Sequence, residues 1–281
     1  MPYATVNGIR LFYELFGNGE PIVLIPGLGL DHTYFRYAIP ELSKHFRAVA
    51  YDQRGTGQSD RPLGEYTAAL WAEDLKGLMA SLGIGQAHIV GSSLGGCVAL
   101  ELLRSAPQLA KTLILVAAFS ELDRALETNF RMRIAMVEQG GMGGIIRDHV
   151  LLWTLWREFI ETERGKQAAD GLLAGLSKND PKLYIEFLKA ILHFGRVLPG
   201  QEGEPKFTSH LPQIKTPTLV VVGREDILTP VPFSVKIKDR MPNAELAIIE
   251  RCGHITFIER PEENTRLIVE FVSRHRGQSP G

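Results

Sequence analysis

Short runs of almost unbroken apolar residues recur along this chain, at 21–25, 47–52, 87–91, 111–118, 217–222 and 244–250, and helical stretches at 33–44, 67–82, 94–105, 231–240 and 261–274 punctuate them. A strand that is apolar on both sides needs cover on both sides. Parallel strands joined by helical crossovers provide that cover, whereas antiparallel hairpins commonly leave one face in water. The pattern therefore predicts an α/β protein with a mostly parallel sheet between helices. Two alternating stretches, 3–7 and 9–16, open the chain, and Asn7-Gly8 between them is a strong hairpin turn. With these the predicted sheet has eight strands.

The alternation stops between about 120 and 210. Helical stretches continue there, but no convincing strand appears, and the Pro- and Gly-rich segment 199–205 reads as the loop leading out. The expected organisation is a core domain formed by 1–119 and 211–281, with 120–210 inserted as a helical cap. Gly140-Gly141-Met142-Gly143-Gly144 reads as a permissive loop between two cap helices. At 281 residues, 44% hydrophobic, the chain is long enough to bury a substantial core.

Gly91-Ser92-Ser93-Leu94-Gly95 lies where a predicted strand meets a predicted helix. In that context Gly-x-Ser-x-Gly is the signature of a sharp turn that exposes a nucleophilic hydroxyl above a sheet. Ser93 is central, and the two glycines leave room where the chain folds back on itself. The helix N-terminus behind it favours developing negative charge. The plainer reading, a serine that merely caps the helix, does not require the flanking glycines.

A hydroxyl needs a neighbouring base, and the base needs an orienting acid. In this architecture the chain order is serine, acid, histidine. Asp226 follows the strand at 217–222 and His254 follows the strand at 244–250, so both are expected at the same sheet edge as Ser93. Glu225, Glu121 and Asp123 are the alternative acids. Among the other histidines, His32 follows the strand at 21–25 and could line a pocket. The oxyanion formed during acyl transfer needs two preorganised N–H donors. Leu94, just after the nucleophile, and Leu28, in Pro26-Gly27-Leu28-Gly29, are the candidates.

Together with Gly91-Ser92-Ser93-Leu94-Gly95-Gly96, the segment Tyr51-Asp52-Gln53-Arg54-Gly55-Thr56-Gly57-Gln58-Ser59-Asp60 and the ending Cys252-Gly253-His254…Glu259-Arg260-Pro261-Glu262 resemble the α/β-hydrolase fold superfamily. Within it the chain is similar to the small enzymes grouped with 3-oxoadipate enol-lactonases and carboxylesterases, and next to meta-cleavage-product hydrolases. The resemblance implies that the 51–60 loop is structural and forms the floor beneath the nucleophile. Many members carry His-Gly in the oxyanion loop where this chain has Pro26-Gly27. Relatives that attack alkyl carbon use an aspartate nucleophile, so a serine in that place implies acyl chemistry.

The expected function is a serine esterase or lactonase working through an acyl-enzyme. Carbon–carbon bond hydrolysis, or a slow-turnover ligand receptor on the same fold, are the alternatives. The insertion is rich in apolar and aromatic residues, with Trp153 and Trp156 the candidates for substrate contact, so a small-molecule substrate with an apolar part is expected. A net charge of −1 and the lack of a basic run speak against a nucleic-acid partner. No apolar stretch is long enough to span a membrane, and neither a signal peptide nor a disulfide framework is read in the sequence, so the cytoplasm is the expected location. No metal and no cofactor is implied.

Overall fold

The computed structural model describes residues 2–195 and 206–275; the expected loop at 199–205 lies outside them. Eight strands form one sheet: β1 (Tyr3–Val6), β2 (Ile9–Phe16), β3 (Glu20–Ile25), β4 (Phe46–Tyr51), β5 (Ala87–Ser92), β6 (Ala110–Val116), β7 (Thr218–Gly223) and β8 (Ala244–Ile249). Their spatial order is β1-β2-β4-β3-β5-β6-β7-β8. Pairing is antiparallel at β1–β2 and β2–β4 and parallel from β4 through β8. Asn7 and Gly8 both have positive φ, at 47° and 77°, as a two-residue hairpin that follows strand twist requires.

The helices are α1 (Ile39–Leu42), α2 (Ala68–Ser81), α3 (Leu94–Ser105), α4 (Arg124–Gly140), α5 (Ile145–Thr154), α6 (Arg157–Ile160), α7 (Glu163–Leu176), α8 (Pro181–Phe194), α9 (Val231–Arg240), α10 (Thr256–Glu259) and α11 (Pro261–Arg274). Apolar strand residues divide by parity between two cores. Val23, Ile25, Ile89, Leu113, Leu115 and Val220 face the core covered by α2, α3 and α9. Ile22, Leu24, Val90, Ile114, Val116 and Leu219 face the one closed by α1 and α11. Each such side chain contributes about 1.5–3 kcal/mol by leaving water, which is why the strands read as unbroken apolar runs.

Two elements differ from the sequence expectation. The stretch 33–44 is not one helix: a 3₁₀ turn at His32–Phe35 precedes the short α1, where Pro40 occupies the first turn. Proline lacks the N–H that a helix interior needs, so it can begin a helix there but not continue one. The strand expected to reach 118 ends at Val116, because Ala117 turns to φ 50°.

Between β6 and β7 the described residues hold helices α4–α8 and no strand. This helical insert is fastened to the loops at the sheet's C-terminal edge. Asn179 Nδ2 donates to Gly29 O at 2.9 Å, and the His254 amide donates to Thr154 O at 2.9 Å. Glu259 is a third fastening. Its buried carboxylate accepts from the amides of Trp156 in the insert (3.1 Å) and of Gly253 (3.0 Å) and Ile255 (3.3 Å), which bracket His254. Burial pushes this carboxyl up to about 7, although the three amide donors pull the other way.

The 51–60 loop, which the resemblance implied to be structural, is tied to the loop that follows β3. Asp52 is fully buried; its Oδ1 accepts from both the amide and Nδ1 of His32 at 2.7 Å, and its Oδ2 from the Gln58 amide at 2.7 Å. His32 is thus tied to this loop. Gln53 Nε2 donates to Pro26 O at 3.0 Å. Arg54 Nε and Nη2 grip Asp74 of α2 side-on at 2.6 and 2.7 Å, and Asn7 Nδ2 joins Asp74 at 2.9 Å.

Two stability outcomes follow. Asp74→Ala strands a buried guanidinium and should cost about 3–5 kcal/mol in urea unfolding; an unchanged midpoint would make the pair dispensable. For Glu259, the raised carboxyl means that the folded protein holds a proton the unfolded chain has released between pH 4.5 and about 7. Its contribution to stability therefore falls as pH rises through that window. Glu259→Gln, which does not titrate, should gain on wild type by about 2–3 kcal/mol between pH 5 and pH 8. A pH-independent difference between the two proteins would mean that Glu259 titrates in the ordinary range.

Candidate active site

The chain winds from β3 outward to β4, then crosses back to lay β5 on the other side of β3. At such a reversal the loops leaving two adjacent strands diverge, and a crevice opens above their C-terminal ends. Here Ile25 is paired with Gly91, so the loop beginning at Pro26 and the turn containing Ser93 leave the sheet side by side.

Ser93 has φ 52° and ψ −117°, a conformation worth about 1–3 kcal/mol of strain for a residue with a side chain. The surroundings enforce it. Ser93 N donates to Val116 O at 2.9 Å, and Gly96 N donates to Ser93 O at 2.8 Å as α3 begins. A Cβ on Gly91 would stand 2.4 Å from Gly95 O, and one on Gly95 would stand 2.3 Å from Ile25 O. The two glycines therefore let strand, turn and helix pack backbone to backbone. Ser92, buried, meets the Tyr34 hydroxyl at 3.1 Å, and both Ser92 and Ser93 line a cavity.

That cavity lies between the sheet edge and the helical insert, and its lining includes Gly27, Leu28, Ser93, His254, Leu228, Phe130, Arg133, Thr154 and Tyr184. His254 and Asp226 are both buried, with His254 Nδ1 2.8 Å from Asp226 Oδ2. A carboxylate only accepts, so Nδ1 carries the hydrogen in this bond. Asp226 Oδ1 accepts from the amides of Leu228 and Thr229 at 2.9 Å each, which fixes the plane of the carboxylate. No direct Ser93–His254 hydrogen bond is present among the described residues. Such bonds are commonly loose before a substrate is bound. Leu28 lies on the cavity wall beside Ser93, and Leu94 is the first residue of α3.

Of the alternative acids, Glu225 accepts from the Cys252 amide at 2.7 Å, Glu121 pairs with Lys236 at 2.7 Å, and Asp123 caps α4. None of them bonds His254. Trp153 and Trp156 are absent from the cavity lining. Trp153 stacks on His149, and Trp156 packs into the core closed by α1 and α11 with Arg260 over its ring. The helical period explains this: Val150 and Thr154, four residues apart, point from α5 into the cavity, so Trp153 points elsewhere. Cys97 and Cys252 are both free and buried.

Three contributors escaped the sequence reading. Thr229 Oγ1 stands 3.0 Å from His254 Nδ1, 2.8 Å from Asp226 Oδ2 and 3.0 Å from Ala117 O. Its hydroxyl can accept from the imidazole while donating to a neighbour. Only its place three residues after Asp226, in a turn, hinted at it. Glu259 holds the histidine loop from behind. Arg133 is 2% exposed and lies on the buried stripe Leu126–Phe130–Arg133–Val137 of α4, a position at which a charged residue is a legible anomaly.

A family model described as alpha/beta hydrolase fold matches residues 20–261. A protein of Stutzerimonas stutzeri strain A1501, provisionally named carbamate hydrolase RutD, is 29% identical over 275 residues, covering 95% of this chain and 98% of its own length. The enol-lactonase from Burkholderia xenovorans LB400 superposes with a TM-score of 0.86 at 27% identity, covering 97% of this chain and 100% of that one. A thermophilic esterase from Thermogutta terrifontis gives 0.83 at 26% identity, over 98% and 97% of the two chains. With the family match spanning most of its length and an eight-stranded, mostly parallel sheet of this order, the chain belongs to the alpha/beta hydrolase fold family.

Proposed function

We propose that this protein is a serine hydrolase that cleaves a carboxylic ester or lactone through a covalent acyl-enzyme, with Ser93 as nucleophile, His254 as base and Asp226 as its orienting acid. One observation carries the reading: a serine held at positive φ on a strand–helix turn lines the same cavity as a histidine whose far nitrogen is bonded to a buried carboxylate. Helices α4–α8 of the 120–210 insertion act as the cap that closes this cavity against water. The names of the similar esterase and enol-lactonase support acyl chemistry. The carbamate in the RutD name is also attacked at an acyl carbon, so the same groups would serve it.

In this reading His254 Nε2 takes the Ser93 proton as Oγ attacks the carbonyl carbon. The resulting oxyanion meets the N–H groups of Leu28 and Leu94, and the positive end of α3 adds to them. Asp226 stabilises the imidazolium. Collapse expels the alkoxide, which takes the proton from His254; in a lactone it stays tethered to the acyl group. Water, deprotonated by His254, then releases the acid and restores Ser93. Thr229 acts as a positioning residue that holds the imidazole in the tautomer needed.

Hydrolysis of p-nitrophenyl acetate and butyrate tests the central assignment. Wild type should turn both over, and Ser93→Ala should lose on the order of 10⁴–10⁶ in kcat. Equal turnover by the two proteins removes Ser93 from the chemistry. No turnover by wild type shifts weight to carbon–carbon bond hydrolysis or to a receptor. Thr229→Val, which removes one hydrogen bond to the imidazole, should lower kcat about three- to tenfold with KM little changed. A loss confined to KM would deny it the positioning role.

A further inference from the structure

The cavity wall carries one charge that the proposed triad does not use. Arg133 projects from the middle of α4 into this cavity, whose lining is otherwise largely apolar, and is 2% exposed. Its Nε and Nη2 have no hydrogen-bond partner, and it forms no salt bridge with any described residue. None of the residues lining the cavity is an aspartate or glutamate. Its neighbours are the Phe130 ring, 5.7 Å from the guanidinium carbon, and the facing Tyr184 hydroxyl. Burial draws the guanidinium below its ordinary value and Tyr184 offsets part of this. Arginine starts high enough to keep its charge at neutral pH. That charge is felt nearby: burial and Arg133 together push His149 down to about 4.

A buried, unpaired charge is among the costliest things a fold can hold, and it is retained where something arrives to pair it. The geometry of the vacant donors says what would fit. Nε and Nη2 form the side edge of a guanidinium, two parallel donors spaced to meet both oxygens of a carboxylate. The protein uses that same edge with its own carboxylates: Arg54 meets both oxygens of Asp74, and Arg224 brings both donors to one oxygen of Glu250. At Arg133 the edge is free and shares its cavity with Ser93.

We propose that Arg133 binds a carboxylate of the substrate, so that the ester or lactone cleaved at Ser93 is an acidic one, carrying an anionic group as well as its reactive carbonyl. This rests on the serine-hydrolase reading and narrows it. The aliphatic and aromatic lining holds the carbon skeleton, and the guanidinium sets its register by gripping the far end. Neutral esters of the same length are then poor substrates, because they leave the buried donors unpaired and cost the site the desolvation of that charge.

Ethyl butyrate and monoethyl succinate differ at the end of the acyl chain, methyl against carboxylate, and make the test. Wild type should favour monoethyl succinate in kcat/KM. In Arg133→Met the ratio of the two kcat/KM values should fall about tenfold to a hundredfold, with Arg133→Lys in between. Both constants are measured on one protein, so any loss of folded enzyme cancels. A ratio unchanged by Arg133→Met overturns the proposal. Ser93→Ala run alongside separates the two ideas: continued hydrolysis there defeats the serine assignment and leaves the Arg133 ratio standing. If wild type cleaves neither ester, calorimetric titration with monoethyl succinate decides. Binding that Arg133→Met abolishes supports the proposal, and no binding, or equal binding to both proteins, overturns it.

Discussion

The pairing of β3 with β5 is the contact on which everything at the sheet edge depends. These strands are separated by more than sixty residues of chain, yet Ile25 lies opposite Gly91. That one register sets the loop holding Leu28 beside the turn holding Ser93. It also explains why Gly95 is a glycine: its α-carbon packs against the carbonyl of Ile25, closer than any side chain permits. The strain at Ser93 persists because β6 holds its amide and the first turn of α3 holds its carbonyl.

Around this centre the fold spends buried polar groups where they orient something. Asp52 and Gln53 hold the loop that follows β3. Asp226 and Thr229 hold the Nδ1 edge of the His254 ring, and Glu259 holds the backbone on either side of it while reaching across to the helical insert. The histidine loop and the insert are thereby joined, so a change in how the insert sits is felt directly at the proposed base. Arg133 is the exception: its Nε and Nη2 meet no acceptor among the described residues.

Much of this was legible in the residues. The doubled apolar character of the strands required a sheet covered on both faces, and Asn7-Gly8 required the hairpin. Glycines two positions either side of Ser93 required a turn in which backbones touch. Asp226 and His254 were legible because each follows a strand, and in a parallel sheet all such positions share one edge. The aromatic residues of the insert were harder to read. Trp153 and Trp156 looked suited to a substrate, but period and packing turn them toward the cores, and smaller Thr154 between them reaches the cavity.

The sequence by itself determined the class of fold and the order in which serine, acid and histidine appear, because strand hydrophobicity and turn chemistry are local properties that a few neighbouring residues express. Only the tertiary structure decided which groups meet across long gaps in the chain. Thr229 beside His254, Glu259 bridging to Trp156, and Arg133 left without a carboxylate are products of packing, where partners are chosen by distance in space and not by spacing in sequence. The charge on α4 was visible as an anomaly in an apolar stripe. That it stands unpaired in the same cavity as Ser93 follows from how the insert folds back over the sheet.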